Sequence, residues 1–211
     1  MDVLRAALCG GLLVAAAGCR SGEPMFNGRD LAGWTEIASR GAWTVQDGVL
    51  RCDGSRDGYA WLCSDRTYRD FELTCRWRIP EGANAGIFLR APGHQGRISM
   101  LGMEVQIRDD RDDPDLSDVS GAVFRRIPAS GRYARPIGQW NDFRIVCRGR
   151  RLRIELNGRL VSDTDIDTVP AQGDDPPMSR VPDEGYIGLQ NHGTPVEFRD
   201  IRIRILSREA L

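Results

Sequence analysis

The chain has 211 residues, with 29 basic groups against 30 acidic ones and a formal net charge of −1. Hydrophobic residues make up 41% and charged residues 28%, which suits one globular domain and excludes long disorder or collagen-like repetition. With no lysine and only two histidines, His94 and His192, Schiff-base chemistry, a lysine phosphate loop and a His-rich metal site are excluded, and the charge balance offers nothing to nucleic acid.

Residues 1–18 read as an export signal. Arg5 supplies positive charge, and residues 6–17 form an apolar run that is too short to span a bilayer. Ala16-Ala17-Gly18-Cys19 resembles a bacterial lipoprotein cleavage box, which places a lipid on Cys19. Ala15 and Ala17 equally satisfy the small-x-small rule of ordinary secretion. The first route gives a periplasmic or outer-membrane-anchored lipoprotein, the second a secreted protein. A lipid would attach the chain to a membrane without crossing it. Residues 19–24 then form a linker, 25–206 the folded domain and 207–211 a tail.

No window of the domain holds a helical apolar period. Short alternating segments replace it, separated by Gly, Pro, Asp and Asn. The alternation predicts strands at Trp43–Val45, Val49–Cys52, Ala60–Cys63, Phe71–Arg78, Ala85–Arg90, Met103–Arg108 and Gly121–Phe124. Trp140–Arg148, Arg151–Leu156, Tyr186–Gln190 and Glu197–Leu206 complete the set. Asp47-Gly48 and Asn157-Gly158 are hairpin turn signals, the second extending the chain into Arg159–Val161. Strands at this spacing predict an all-β sandwich or jelly roll in a single domain.

Two stretches resist strand assignment. Asp109–Ser120 holds six Asp and one Pro, and Ser162–Glu184 holds Pro170, Pro176, Pro177 and Pro182. Both read as long surface loops. The acidic one is either a solvated face or a loop for a hard divalent cation. Cys75 and Cys147 keep period two with apolar neighbours and point into a core. Cys52 and Cys63 flank a turn and could face each other across a hairpin. Export allows one or two disulfides, and buried thiols are the alternative.

On one predicted strand Glu104, Gln106 and Arg108 share a face while Val105 and Ile107 fill the core. That face is either wet or, together with Arg90, a polar patch suited to sugar hydroxyls. Glu104-x-Gln106-x-x-Asp109 resembles the paired-carboxylate motif of laminarinase-type glucanases. The amide at the middle position weakens a two-carboxylate mechanism. His192, at a strand end beside Gly193, is either a structural or a catalytic histidine. His94 lies in a turn-like loop near Arg90.

Taken together, a series of motifs resembles the 3-keto-disaccharide hydrolase family. The series runs from Met25-Phe26-Asn27-Gly28-Arg29-Asp30-Leu31-Ala32-Gly33-Trp34 through Trp43-Thr44-Val45-Gln46-Asp47-Gly48 and Asn84-Ala85-Gly86-Ile87-Phe88-Leu89-Arg90. Glu104-Val105-Gln106-Ile107, Gln139-Trp140-Asn141 and Gly185-Tyr186-Ile187-Gly188-Leu189-Gln190-Asn191-His192-Gly193 follow, and Val196-Glu197-Phe198-Arg199-Asp200-Ile201 closes it. Ala85, Gln139 and Asp200 stand where the family pattern has Ser, Glu and Asn.

The resemblance implies a concanavalin A-like jelly-roll sandwich and cleavage of 3-keto-glycosides, with the keto sugar made by a partner sugar 3-dehydrogenase. A ketone at C3 acidifies the C2 proton; a base removes it, the enolate expels the C1 substituent, and water adds. On this reading Glu104 and His192 divide the roles of base and acid. Arg90 stabilises the enolate, and Gln106, Asn84 and Trp140 hold substrate. A divalent cation, Mn²⁺ or Ca²⁺, is held partly by Asp109. The rival readings are a non-catalytic carbohydrate-binding module, using Trp34, Trp43, Trp61, Trp77 or Trp140 to stack sugars, and a structural surface lipoprotein.

Overall fold

The computed structural model describes residues 22–111 and 114–207. The signal segment 1–18, Cys19, and Asp112 and Asp113 of the acidic loop lie outside the described residues. The strands in chain order are β1 (Glu23–Pro24), β2 (Trp34–Ile37), β3 (Trp43–Gln46), β4 (Val49–Cys52), β5 (Ala60–Tyr68), β6 (Phe71–Arg78) and β7 (Asn84–Ala91). They continue with β8 (Met103–Arg108), β9 (Asn141–Arg148), β10 (Arg151–Leu156), β11 (Arg159–Asp165), β12 (Gly185–Asn191) and β13 (Val196–Ile205). A four-residue helix, α1 (Ile98–Leu101), precedes β8.

All pairings between strands are antiparallel. One sheet runs β11-β10-β9-β6-β13-β4-β3, with β1 on β13 as its eighth strand; the other runs β2-β5-β12-β7-β8. Period-two alternation builds the core between them. Phe71, Leu73, Cys75 and Trp77 of β6 join Phe143, Ile145 and Cys147 of β9 in one buried cluster with Ile87 and Leu89 of β7, Val105 and Ile107 of β8, and Ile187 and Leu189 of β12. Each fully buried Leu, Ile or Phe contributes about 1.5–3 kcal/mol. The two hairpin signals act as predicted: Asp47 and Gly48, and Asn157 and Gly158, all take positive φ, as the twist-matched two-residue turn requires.

Several expectations need correction. Gly121–Phe124 is no regular strand; it meets β8 through a single bridge, Val105 to Val123. Ser162–Glu184 is not all loop, because β11 runs to Asp165 and two 3₁₀ turns follow, Ile166–Thr168 and Met178–Arg180. The alternation missed β2, Trp34-Thr35-Glu36-Ile37. Cys52 and Cys63 do not face each other: β4 and β5 lie in different sheets. All four described cysteines are buried free thiols. Burial pushes Cys52 up to about 11 and Cys63 and Cys147 up to about 12.

Candidate active site

The five-stranded sheet has a second buried face, opposite the core. Trp61, Cys63, Phe88 and Ala91 pack there against Ile98 of α1, so the 92–100 segment covers one part of it. Residues 121–124 run along the free edge of β8. Gln106 N donates to Ala122 O, Gly121 N to Gln106 O and Phe124 N to Glu104 O, each at 2.9 Å. That contact closes an edge that would otherwise be open for pairing. Glu104 and Gln106 on this face are therefore not wet, at 3% and 1% exposed, while Arg108 at its end is half-buried.

Register places the side chains in rows across this face. Gly188 stands opposite Cys63 on one side and Phe88 on the other, and Phe88 opposite Glu104. In the next row Gln190 faces Trp61, and Gly86 faces Gln106. Two missing side chains shape the floor. A Cβ at Gly86 would come within 2.8 Å of Glu104 Oε1, so the carboxylate lies over that glycine. A Cβ at Gly188 would strike the Trp61 ring at 2.1 Å.

Glu104 ends against the Gln190 side chain, which hydrogen-bonds it. Its pKa is pushed up to about 8, first by burial and then by the nearby Asp118 charge; Gln190 and Arg97 oppose the rise. This dry site favours the protonated carboxyl. Tyr59 stacks on Phe88 at 5.8 Å, and its hydroxyl accepts from Ser99 N at 3.3 Å and meets Gln190. Burial raises the Tyr59 pKa, so the hydroxyl stays a donor. Gln190 Oε1 is buried with no partner, as is Asn84 Oδ1. Both are acceptors that still lack a donor.

Asp118 organises the other end. It accepts from Gln106 Nε2 at 2.5 Å and from Arg108. His192, exposed just past the end of β12, feels the charges of Arg56, Asp118 and Arg108. Desolvation first, then Arg56, lowers its pKa, so the imidazole is neutral at pH 7. The fold thus gathers Glu104, Gln106, Asn84 and His192 around one face. Gln190, Tyr59 and Asp118 were not anticipated as site residues. Gln190 shares a face with Gly188 at period two within a motif already singled out, and that spacing was a usable signal. Nothing local marks Tyr59, which reaches the face from the loop before β5.

Three expected site residues lie elsewhere. Arg90 is fully buried, but it points away from Glu104. Between the Phe88–Gly188 and Ala91–Tyr186 pairs, β7 has one residue more than β12, and Arg90 takes φ 52°. This bulge breaks the alternation. The guanidinium enters the end of the sandwich, donating to Arg69 O at 3.0 Å and Gly149 O at 2.7 Å, with Asp70 at 3.8 Å. Arg90 fastens two turns and is not a substrate ligand. Trp140 lies on the outer face of the other sheet, with Arg78 and Arg199 over its ring at 4.7 and 4.2 Å. Trp34, Trp43, Trp61 and Trp77 are all buried, which removes them as exposed sugar platforms.

Asp109 is engaged already. Arg111 holds both its oxygens at 2.8 Å, Gly82 N donates to it at 2.9 Å, and its pKa falls to about 2, chiefly through Arg111. Among the described residues no three carboxylate, His or Cys groups converge as ligands. A divalent cation at Asp109 does not fit this arrangement.

Comparison with known proteins bears on this geometry. The family model for a 3-keto-alpha-glucoside-1,2-lyase-like domain matches residues 22–204. The chain belongs to this family. This lyase-like domain is 27% identical over 226 residues to the 3-keto-disaccharide hydrolase of Bacteroides thetaiotaomicron, covering 86% of this chain and 77% of that protein. A Parabacteroides distasonis protein, described as a candidate glycosyl hydrolase, superposes with a TM-score of 0.76 at 20% identity, over 87% of this chain and 93% of its own. The carbohydrate-binding module CBM66 of Bacillus subtilis superposes at 0.56 with 16% identity, over 82% and 95%. The last two likenesses concern the sandwich alone. Family and relative together make the chain a glycosidase-like enzyme.

Proposed function

We propose that the chain is an exported enzyme that cleaves the glycosidic bond of 3-keto-glycosides by elimination and hydration. The family description and the hydrolase named in the relative support the substrate class. The observation that carries the mechanism is Glu104, a carboxyl that is 3% exposed and whose pKa burial pushes up to about 8, on the sheet face whose strand β12 ends just before the exposed His192, whose own pKa is lowered. Pushed apart in this way, the two groups take opposite roles. His192 removes the C2 proton that the ketone acidifies. The electron pair forms the enolate, the C1–O bond breaks, and Glu104 gives its proton to the departing oxygen. Water then adds at C1 of the enone while the proton returns to C2, so the net change is hydrolysis; release of the enone before hydration is the lyase outcome. Tyr59 O–H and Arg97, both electrostatic neighbours of Glu104, are the donors proposed for the enolate oxygen, the place that Arg90 does not fill. Gln190, Gln106 and Asn84 hold hydroxyls.

Because the substrate must already be oxidised at C3, a sugar 3-dehydrogenase is the class of partner reaction that supplies it. Cys19 is the proposed lipid site that keeps the enzyme in the periplasm or at the outer membrane. The test is incubation of the protein with 3-keto-trehalose, a 3-keto-β-glucoside and unoxidised trehalose in D₂O. Release of the C1 substituent from the keto sugars alone, with deuterium entering at C2, is the expected result. Retention of glycan with no turnover of any keto sugar would convert the reading to a binding module.

A further inference from the structure

We propose that Thr194 is a positioning residue for the reaction on the Glu104 face: its hydroxyl clips the turn that carries His192 to Asn84, the first residue of β7. The inference rests on the reading that His192 takes the C2 proton while Asn84 holds a sugar hydroxyl. Thr194 Oγ1 accepts from Asn84 N at 2.9 Å and donates to Asn84 O at 2.7 Å. One side chain thus serves both backbone groups of one residue, as a paired strand residue would.

Register shows what the clip replaces. β12 and β7 pair at Gly188–Phe88 and Leu189–Ile87. Antiparallel pairing continued for three more residues would set His192 opposite Asn84. β12 ends at Asn191 instead, and the chain turns through Gly193, at φ 93°. The Asn84 backbone therefore meets the Thr194 hydroxyl where a strand partner would stand. Two features make the clip stiff. Thr is restricted at χ1 by its branched Cβ, and Pro195 disfavours helical backbone at the residue before it.

A second segment, residues 53–58, holds the same turn. Asn191, itself buried, donates from Nδ2 to Ser55 O at 2.7 Å and accepts on Oδ1 from Gly193 N at 3.0 Å. Gly54 lies so close that a Cβ there would meet Gly193 C and Thr194 N at 3.0 Å. The exposed His192 imidazole thus stands on a backbone fastened just before it, at Asn191, and two residues after it, at Thr194. Of these fastenings, the Thr194 clip joins the proposed base to a proposed substrate-holding residue. It fixes the Asn84 main chain and leaves the buried Asn84 Oδ1 without a partner. A base and a hydroxyl-holding group work together only at a set spacing, and a displacement of about 1 Å costs up to about 10²-fold in rate.

The test compares Thr194→Val, which keeps the branch and removes the hydroxyl, with Thr194→Ser, which keeps the hydroxyl. Both are made in the full chain. On 3-keto-trehalose the valine variant should lose about tenfold or more in kcat per folded molecule, and the serine variant should recover most of that loss. A clip that served stability alone would lower the melting temperature and leave kcat per folded molecule in place. The second readout needs no substrate. With two histidines in the chain, their imidazole resonances can be followed singly against pH. His192 is held low by burial, Arg56 and Arg108, against Asp118. Released from the clip by the valine, its titration should rise toward the ordinary histidine value, with His94 unmoved and the serine variant like wild type. A kcat within twofold of wild type, a His192 titration unmoved by the valine, or losses that the serine does not recover would each overturn the proposal. Should the wild type itself release nothing from keto sugars, the proposed reaction falls, and the His192 titration alone decides whether Thr194 holds the imidazole.

Discussion

On β8, Glu104, Gln106 and Arg108 alternate with Val105 and Ile107; on β10, Arg151, Arg153 and Glu155 alternate with Leu152 and Ile154. The two strands have the same binary pattern and put their apolar residues into the same core. Their polar faces differ completely. Glu104 is 3% exposed, while the side chain of Arg151 is 58% exposed. The difference comes from what lies above each sheet. Loop 92–100, α1 and residues 121–124 cover or flank the β8 face. Among the described residues, the β10 face carries ion pairs between its own side chains, such as Arg151 and Arg153 with Asp163. The same carboxyl group is a weak acid under the first roof and an ion-pair partner under open water, because desolvation penalises the charged form.

The largest effect that sharpens this comparison is on turnover. Glu104→Gln keeps the volume and removes the proton; release of the C1 substituent should fall by about 10²–10⁴-fold, with an unchanged circular dichroism spectrum. Near-normal turnover would return Glu104 to a structural role. Arg90→Met should leave turnover per folded molecule unchanged and lower unfolding free energy by about 3 kcal/mol, measured in urea, since it strips a buried network of its charged donor. A loss of turnover with stability intact would restore Arg90 to the substrate.

A smaller effect concerns pH. The folded pKa of Glu104 lies near 8, above its ordinary 4.5. The fold therefore favours the protonated form. Its contribution is fully present below pH 4.5 and is lost as pH rises through 8. Comparing wild type with Glu104→Gln at pH 5 and pH 9, the wild type should lose stability relative to the variant on the order of a few kcal/mol. Parallel pH profiles would show that the carboxyl is solvated after all. The smallest effect is at Asp109. Asp109→Asn should leave turnover and its response to chelator unchanged, because the carboxylate serves Arg111 and Gly82 rather than a cation. Metal-dependent turnover that this substitution abolishes would refute that assignment.

Much of the fold was legible because strands of period two announce their inward residues. Leu73, Cys75, Trp77, Val105 and Ile107 all entered the core as their spacing required. Turn signals were legible for the same local reason: Asn157-Gly158 and Asp47-Gly48 can adopt positive φ. Of the candidate site, Glu104, Gln106 and Asn84, singled out by motif and shared face, lie on one face of one sheet, with His192 just past the end of its strand β12. Arg90 was misplaced because a one-residue bulge inverts a face and leaves no mark in a pattern that otherwise alternates. Trp140 was misplaced because a strand start does not say which sheet it will join.

The sequence by itself determined the class of fold, the inward residues, the tight turns and the family, all of which follow from spacings of a few residues or from motif order. Tertiary structure decided which loop covers which face, and hence that Glu104 is dry, Arg90 internal and Asp109 bound to Arg111. Those outcomes rest on contacts between segments far apart in the chain, such as Gln190 with Glu104 and Arg90 with Gly149. Burial then favours the protonated form of Glu104, and the Arg111 contact the ionised form of Asp109.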